Sequence, residues 1–440
     1  MFGWRNVFSL LPLSGIVLML FCQSILAAPR PKPQKKKTKP APNLIKELML
    51  LNKQDYSLFL KYPGRYKLQI IYTQINRDSL QNPHFVVHQY NVSDEKYFYP
   101  ASLVKLPVSL LALEKLNTLK LDSLNEKTSM ITLADGGCQY ATLSDSSSCT
   151  GLPSLQHYIK KMMLVSDNQA FSRVYEFLGQ DYIHEQLAIK GFSKSRITHR
   201  FDGWCSVGEN KCSNPILFYT NSGRMIYDQA KKCSQRTWKH PLKKVVVGKA
   251  HIVNGKKLKR GKNFTNMNFI PLGEMDAMLK SVVMPAASEK KIAFNLSEEQ
   301  RKMMLAYMSM FPRESDCPKY DTARFEDSHK KYFLLGNIHG ITQNDSIRIF
   351  NVVGMSYGFL SDCAYIVDFK NKLEFFLSAA IYVNKNEVIN DGIYEYKSIG
   401  FPFFANFGQL IYDYEKTRVK KYLPDFNNSE YLMDYSEWSR

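Results

Sequence analysis

Hydrophobic residues recur at helical spacing through the segment that follows Asn43 and through a long central region. Apolar positions three and four residues apart lie on one face of an α-helix, so this spacing predicts amphipathic helices. The central helices are predicted at residues 103–116, 155–178, 183–190, 273–283 and 298–310.

Apolar runs rich in β-branched and aromatic residues appear near both ends of this region. Such runs, bounded by polar turn residues, are typical of strands. Strands are predicted at residues 65–75, from Phe85 onward, and at 346–354, 359–369 and 373–384. A last amphipathic helix is predicted after Gly400, with Pro402 near its start. This order predicts one antiparallel sheet built from both ends of the chain, with the helices between them forming a second lobe and a cleft between the lobes.

The amino-terminal 28 residues have the pattern of an export signal. Arg5 precedes an apolar stretch from Val7 to Cys22, and Ala27 and Ala28 supply small residues for cleavage. Polar and turn residues interrupt that stretch, so we expect no permanent membrane anchor once the signal is removed. Lipid attachment at Cys22 is an alternative that the bulky residue before it disfavours.

Positive charge is concentrated in two places. The chain carries a formal charge of +19, and a proline- and lysine-rich tether at residues 29–42 follows the signal. The first 42 residues hold seven Lys or Arg and no acidic residue, and subtracting their charge leaves +12 for the rest of the chain. The second cluster spans residues 239–262, where Asn254-Gly255 predicts a hairpin turn. It is interpreted either as a surface for anionic envelope polymers or lipids, or as a solvated hairpin. Nucleic acid is not expected as a partner of an exported protein.

Eight cysteines are present, and Cys22 would leave with the signal. In an oxidising compartment the remaining seven favour disulfides, and Cys138–Cys149 and Cys205–Cys212 are plausible loop-closing pairs. The odd number leaves at least one thiol unpaired. No CxxC or HExxH pattern accompanies them, so we expect neither a zinc site nor any other metal or cofactor.

Ser102 and Lys105 stand three residues apart just after Pro100, at the start of a predicted helix. A serine hydroxyl is a weak nucleophile until a base accepts its proton, and residues i and i+3 share one helix face. A helix amino terminus also directs backbone N–H groups at developing oxyanion charge. The pair therefore suits acyl transfer. The alternative is a capping serine beside a surface lysine on an ordinary core helix.

Two further segments bear on this choice. Ser166-Asp167-Asn168 begins a helical pattern, and Gly354 to Gly358 forms a glycine-flanked strand edge. Either segment has an ordinary interpretation, as a capped helix and a hairpin turn respectively.

In this order the segments "FYPASLVKLP", "LVSDN" and "VVGMSYGFLSD" resemble the penicillin-recognising serine hydrolases, the superfamily of class A β-lactamases and D,D-peptidases. The resemblance extends from about residue 43 to residue 420. It implies an α+β fold: a three-layer α/β/α lobe with an antiparallel five-stranded sheet, plus an inserted all-helical lobe. It further implies a sheet lobe at 43–100 and 331–425, a helical lobe at 101–330 with the basic hairpin inserted, and a tail at 426–440.

The resemblance also implies roles for individual residues. Ser102 would be the acylated nucleophile, Lys105 its proton acceptor and Ser166 a proton relay to the leaving group. In substrate binding, Asn168 would hydrogen-bond the substrate amide, while Gly354 and Met355 would line the site. The backbone N–H groups of Ser102 and Met355 would form the oxyanion hole.

The chain departs from the family pattern at two points. The third motif, Lys-Thr/Ser-Gly, is replaced in the best register by Val352-Val353-Gly354, with Tyr357 and Asp362 following. His339-Gly340 is an alternative that lies thirteen residues too early, and we interpret His339 as a loop residue.

The second departure concerns the family's Glu-x-x-x-Asn element, which activates the hydrolytic water. Between Glu176 and Asn214 no Glu precedes an Asn by four residues, and Glu209 is a weak candidate. Without that glutamate an acyl-enzyme would turn over slowly, or water would be activated another way.

Three functional hypotheses follow. The preferred one is an exported, periplasmic or envelope-associated serine hydrolase acting through an acyl-enzyme on a β-lactam, a peptidoglycan-like peptide or another envelope amide or ester. The second is a non-catalytic envelope-binding protein that kept this fold and lost its activity because Val352 replaces the lysine of the third motif. The third is a wall- or membrane-associated structural module whose basic tether and hairpin carry the function.

Overall fold

The structure is a computed structural model that describes residues 43–203, 205–340, 344–427 and 429–440. The predicted signal segment, Cys22 and the tether lie outside these residues and stay predictions. Asn43–Arg440 form one compact unit. In the part of the chain that is described, no helix is both long and apolar enough to cross a bilayer.

The helices follow the apolar spacing closely. They are α1 Leu44–Leu51, α2 Lys53–Lys61, α3 Lys105–Leu119, α4 Leu155–Val165, α5 Asn168–Leu178, α6 Gln180–Ile189, α7 Leu272–Val283, α8 Glu298–Ser309 and α9 Phe401–Thr417. Asn43 and Ser297 cap α1 and α8 with their side chains, which satisfies free N–H groups of the first turn.

The strands are β1 Gln69–Arg77, β2 Pro83–Tyr90, β3 Ser129–Thr132, β4 Cys212–Ser213, β5 Ile216–Tyr219, β6 Met225–Gln229, β7 Lys232–Cys233, β8 Val246–Val247, β9 Ala250–Val253, β10 Lys256–Leu258, β11 Lys262–Asn263, β12 Ile347–Ser356, β13 Phe359–Asp368, β14 Leu373–Tyr382 and β15 Val388–Ile389. Five of them form the main sheet in the order β12-β13-β14-β1-β2. Every pairing in this sheet is antiparallel, and β1 joins β14 with Gln69 opposite Ala380. The prediction of a sheet built from both chain ends is confirmed.

Helices cover both faces of the main sheet. Alternate β1 residues point to opposite sides: Ile71 and Ile75 pack with α3, α4, α5, α7 and α8, whereas Ile70 and Tyr72 pack with α1, α2 and α9. A strand buried on both faces has few polar positions, which explains the continuous apolar runs of β13 and β14. The predicted three-layer α+β fold of β-lactamase type is confirmed.

The inserted region also contains short strands, which the expectation of an all-helical lobe omitted. They form β3-β5-β6 and several two- and three-stranded ribbons. Most are only two to five residues long, too short for a clear period-two pattern. The hairpin predicted at Asn254-Gly255 is present between β9 and β10, and both residues have positive φ, as this tight turn requires.

The predicted helix over residues 155–178 is in fact two helices. Ser166 has φ 60°, in the left-handed region, and ends α4, while the Asp167 side chain accepts a hydrogen bond from the Ala170 N–H and caps α5. The apolar spacing runs through this break, because both helices bury their apolar faces in the same core.

The two predicted disulfides are wrong. Cysteines near in sequence were expected to pair, but folding brings distant ones together. The disulfides are Cys138–Cys205, Cys149–Cys317 and Cys212–Cys233. Cys363 is the thiol left unpaired among the described residues, and it is buried in β13.

The carboxyl-terminal segment after residue 425 packs onto the helical region. Tyr431 is buried and donates a hydrogen bond of 2.8 Å to the Val283 carbonyl. The Ser439 carbonyl accepts a hydrogen bond of 2.6 Å from the buried Lys160. These contacts hold the end of the chain against α4 and α7.

The Cys149–Cys317 disulfide, which closes a span of 168 residues, should stabilise the fold more than Cys212–Cys233, whose span is 21 residues. Chain-entropy arguments give about 2–5 kcal/mol for a native disulfide, increasing with loop length. We expect Cys149→Ser with Cys317→Ser to lower the free energy of urea unfolding more than Cys212→Ser with Cys233→Ser. Peptide mapping under non-reducing conditions tests the connectivity, and a Cys138–Cys149 peptide would contradict it.

Candidate active site

Ser102 lies in a single 3₁₀ turn, Ala101–Val104, that leads directly into α3. The turn is entered through Ala101, whose φ of 45° is unusual for a residue with a side chain. Among the described residues Ser102 caps neither the turn nor α3, and its Oγ instead accepts a hydrogen bond from Lys105. The capping-serine alternative is therefore wrong.

Strand β12 is pressed against the Ser102 turn at Gly354. A Cβ atom at this position would lie 2.2 Å from the Pro100 carbonyl oxygen and 2.7 Å from the Ser361 Oγ. Only glycine permits so close an approach without moving the backbone. Gly354 thus determines how near the strand edge comes to Ser102.

Lys105 is buried, with 1% of its surface exposed. Its Nζ lies 2.9 Å from Ser102 Oγ, 2.8 Å from Ser166 Oγ and 3.0 Å from Asn168 Oδ1, and it also contacts the Ser166 carbonyl oxygen. The aromatic ring of Phe201 covers it at 5.5 Å. The three residues expected to cooperate with Lys105 are therefore gathered around one amine.

The environment of Lys105 favours the uncharged amine. Burial and, secondly, the positive charge of Lys330 lower the pKa of Lys105 well below its ordinary value of 10.5, and Asp167 opposes them. An uncharged amine can accept the Ser102 proton, whereas an ammonium group cannot. Ser166 Oγ lies as close to Nζ as Ser102 Oγ does, so a proton held by the amine has a path to either hydroxyl.

Ser166 and Asn168 owe their positions to the break between α4 and α5. The left-handed conformation of Ser166 turns the chain so that its carbonyl and its hydroxyl both face Lys105. Asn168 is the first residue of α5, and one side of it is exposed to the cleft. The side-chain Oδ1 of Asn168 accepts a hydrogen bond from Lys105 Nζ, which leaves the side-chain NH₂ group available to a ligand.

Ser102, Asn168 and Met355 line one cavity of about 1070 Å³. Met355 is 39% exposed at the end of β12, next to Gly354. The two residues whose backbone N–H groups are expected to form the oxyanion hole therefore line the same cleft. Ser166 faces a smaller pocket on the other side of Ser102.

The rest of the large cavity carries groups that the sequence did not identify. Aromatic rings and cations line it: Phe201, Trp238, Lys211 and Lys262 come from the inserted region, and Tyr99 and Tyr357 from the segments on either side of it. Lys262 lies 5.5 Å from the centre of the Tyr357 ring. It is the last residue of the basic cluster, and nothing in the sequence distinguished it from its exposed neighbours.

His199 is a second residue that the sequence analysis missed. It is stacked on Tyr99 at 6.1 Å, and burial lowers its pKa to about 4. The imidazole is therefore neutral near pH 7, and its Nε2 lies 3.3 Å from the Tyr99 hydroxyl. No spacing signal connected this histidine with Ser102.

The strand position of the family's third motif is apolar. Val352 is buried and lines the small pocket that also includes Ser102, Ser166 and Lys330. Lys330 lies 22 residues before Val352 in the sequence, outside any expected motif. His339 is at the surface beside Glu326 and does not line either cavity.

Asp362 is not exposed to substrate. Burial raises its pKa to about 7, and it accepts hydrogen bonds from Asn351 and from the N–H groups of Tyr332 and Phe333. It stabilises the segment that follows Lys330.

Two glutamates of the region searched for the family's water-activating residue, Glu176 and Glu209, have other partners. Glu176 forms a buried ion pair with Arg200, and Glu209 accepts hydrogen bonds from the backbone of Ser206. Glu209 does line the large cavity. Among the described residues, no carboxylate oxygen is hydrogen-bonded to Ser102 Oγ. No cluster of three or more potential metal ligands occurs in the described part of the chain.

Comparison with known proteins gives a family match that covers the Ser102 site. Residues 60–250 match the model of the Beta-lactamase enzyme family, which is less than half of the chain but includes Ser102, Lys105, Ser166 and Asn168. No curated protein matches. The match confirms the resemblance to penicillin-recognising serine hydrolases.

Solved structures with similar folds include a β-lactamase from Sphaerobacter thermophilus (12% identity, TM-score 0.44, covering 83% of this chain and 99% of that one). A class A β-lactamase from Clostridium kluyveri has 12% identity and a TM-score of 0.45, covering 83% of this chain and 100% of that one. PBP-A has 12% identity and a TM-score of 0.45, covering 83% of this chain and 96% of that one. The chain has a β-lactamase-like serine hydrolase fold.

The environment of Lys105 predicts the pH dependence of acylation. The rate should rise with pH as Lys105 loses its proton, and because its pKa is lowered the midpoint should lie well below 10.5. Single-turnover acylation of Ser102, followed by mass spectrometry from about pH 5 to pH 10, measures this midpoint. A midpoint near that of a free lysine would contradict the role of Lys105, and Lys105→Met should abolish the reaction.

Proposed function

We propose that the protein is an exported serine hydrolase whose Ser102 is acylated by a β-lactam, a peptidoglycan-like peptide or another envelope amide or ester. The observation that carries the proposal is the buried Lys105 amine, which contacts Ser102, Ser166 and Asn168 together. A capped core helix needs no such cluster, whereas an activated nucleophile does.

In this mechanism Ser102 Oγ attacks the substrate carbonyl carbon as its proton moves to Lys105 Nζ. The tetrahedral oxyanion is stabilised by the backbone N–H groups of Ser102 and Met355. The carbonyl re-forms as the bond to the leaving nitrogen or oxygen breaks, and the proton on Lys105 reaches that atom through Ser166 Oγ. Water then hydrolyses the Ser102 ester and releases an acid.

The second half of the reaction is proposed to be slow. Glu176 and Glu209 are held by other groups, so neither is ready to take a proton from a water near Ser102. Slow deacylation favours a D,D-peptidase or penicillin-binding activity over a fast β-lactamase, because the acyl-enzyme would persist.

The large cavity suits an elongated substrate with a carboxylate. The aromatic rings of Tyr99, Trp238 and Tyr357 provide flat apolar contact, and Lys262 supplies a positive charge among them. Such a substrate would place its scissile carbonyl at Ser102 and its carboxylate at Lys262.

Export is supported by the chemistry of the cysteines. Disulfides persist in oxidising compartments, and six of the described cysteines are paired. Together with the predicted signal segment, this supports a location in the periplasm or at the cell envelope, with the basic tether and hairpin in contact with anionic polymers.

A second candidate function is substrate binding without turnover. Val352 favours it, because the position that carries a lysine in related enzymes is apolar here. In that case Ser102→Ala would leave function intact.

Acylation of Ser102 is the direct test. Exposure to a fluorescent penicillin and to a generic ester should give a covalent adduct on Ser102, absent in Ser102→Ala, with a burst of about one equivalent followed by slow turnover. Mass spectrometry of the digested protein locates the adduct. No adduct with either reagent would favour the binding function.

Lys262 is expected to matter for substrate affinity and not for chemistry. Lys262→Gln should raise KM for substrates with a carboxylate by about tenfold, equivalent to about 1.4 kcal/mol, and leave kcat nearly unchanged. Steady-state or single-turnover kinetics with an acid and its methyl ester separate the effects. Lys290→Gln, an exposed site far from the cleft lining, is the matched control. Equal losses for acid and ester would contradict carboxylate binding.

A further inference from the structure

We propose that Lys330 is a positioning residue that supplies, from the segment before β12, the positive charge that Val352 lacks. It acts on Lys105 and Ser166 without touching substrate. This inference rests on the proposed function, since it concerns the same serine.

The pocket behind Ser102 brings four chain segments together. Ser102, Ser166, Lys330 and Val352 line it, with the sulfur-containing side chains of α4 completing an apolar wall. Lys330 and Val352 therefore line the same pocket from two different segments of the chain. A lysine side chain at position 352 would enter the pocket that Lys330 lines.

The backbone of Lys330 is fixed by two asparagines. Its N–H donates to Asn337 Oδ1 at 3.1 Å, and its carbonyl accepts from Asn351 Nδ2 at 2.9 Å. Lys330 adopts the left-handed conformation, with φ 61°, which non-glycine residues visit rarely. Asn351 precedes Val352 in β12, so the same contact that holds Lys330 ties it to the strand position of the missing motif.

The neighbouring histidine fixes the segment on its other side. His329 pairs with the backbone carbonyl of Val165, the residue before Ser166. Burial lowers the pKa of His329 to about 4, so it contributes no charge near pH 7. Lys330 is thereby anchored both to β12 and to the turn that presents Ser166.

The Lys330 amine has no hydrogen-bond or ion-pair partner in the described part of the chain, which makes it unlike the adjacent Lys331. Lys331 Nζ is fully engaged by the carbonyls of Met308 and Ile349 and by Asn351. Burial lowers the pKa of Lys330 from its ordinary value of 10.5. In its charged form, without a counterion in this small pocket, the amine acts over several ångströms, because little water screens it.

The charged groups around Lys105 set the sign of the effect. Lys330 lowers the pKa of Lys105 and Asp167 raises it; Asp362, on β13, is directed at Asn351 and Tyr332. Lys330 thus keeps Lys105 uncharged before the attack. As Ser166 gives up its proton to the leaving group, the same positive charge stabilises the negative charge that develops on Ser166 Oγ. Lys330 itself exchanges no proton in either step.

The test uses the mature protein and four variants. Lys330→Met removes the charge at similar volume, and Lys330→Arg keeps it. Lys330→Met with Val352→Lys moves the charge to the strand. Lys372→Met, an exposed lysine that also has positive φ, controls for losing a lysine from a left-handed position.

We expect Lys330→Met to slow acylation by a fluorescent penicillin about tenfold for each unit by which the pKa of Lys105 rises, and to move the pH midpoint upward. Lys330→Arg should retain most of the rate, and the Val352→Lys double variant should recover a large part of it. Lys372→Met should behave as the unmodified protein. A merely structural role for Lys330 would lower folded yield without moving the midpoint and would not be rescued from Val352.

A second readout does not depend on any substrate. Nuclear magnetic resonance titration of isotope-labelled lysine side chains reports the ionisation of Lys105 directly, assigned with Lys105→Met. Its midpoint should rise in Lys330→Met and stay in place in Lys372→Met. An unchanged Lys105 midpoint in Lys330→Met would overturn the inference. Absence of acylation in the unmodified protein, with the expected shift present, would instead contradict the proposed function alone.

Discussion

The arrangement around Ser102 depends on the burial of one amine, that of Lys105, away from water, where its uncharged form is favoured. Removing a lysine from water costs free energy, which the protein limits by surrounding Nζ with hydroxyl, amide and carbonyl oxygens. These oxygens come from the turn before α3, from the α4–α5 break and from the start of α5. The three elements must converge within hydrogen-bond distance, and the core on both sides of the main sheet holds them there.

Reactivity and stability oppose each other at this site. Ala101 and Ser166 both adopt left-handed backbone conformations that cost roughly 1–3 kcal/mol each. Gly354 gives up side-chain contacts so that β12 can approach Pro100. A chain selected for stability alone would relax these positions.

Sequence reasoning identified what local spacing determines. The three-residue spacing of Ser102 and Lys105 brought the two side chains together, and the apolar runs of β12, β13 and β14 predicted strands. What it missed depends on distant contacts. The disulfide Cys149–Cys317 joins residues that only tertiary packing brings together, and Lys330 reaches the serine through a pocket that no motif spacing describes. The break at Ser166 was hidden because α4 and α5 bury the same face.

The strand order of the main sheet determines when the cleft around Ser102 is assembled during synthesis. β1 and β2 emerge early, but their neighbour β14 lies near the carboxyl terminus, with Gln69 opposite Ala380. Such long loops close late, because their entropy is lost before the contacts form. The strand that presses on the Ser102 turn comes from the same late segment. A partly synthesised chain therefore carries Ser102 and Lys105 but no formed cleft, so the cleft around Ser102 is completed only when nearly the whole polypeptide is available.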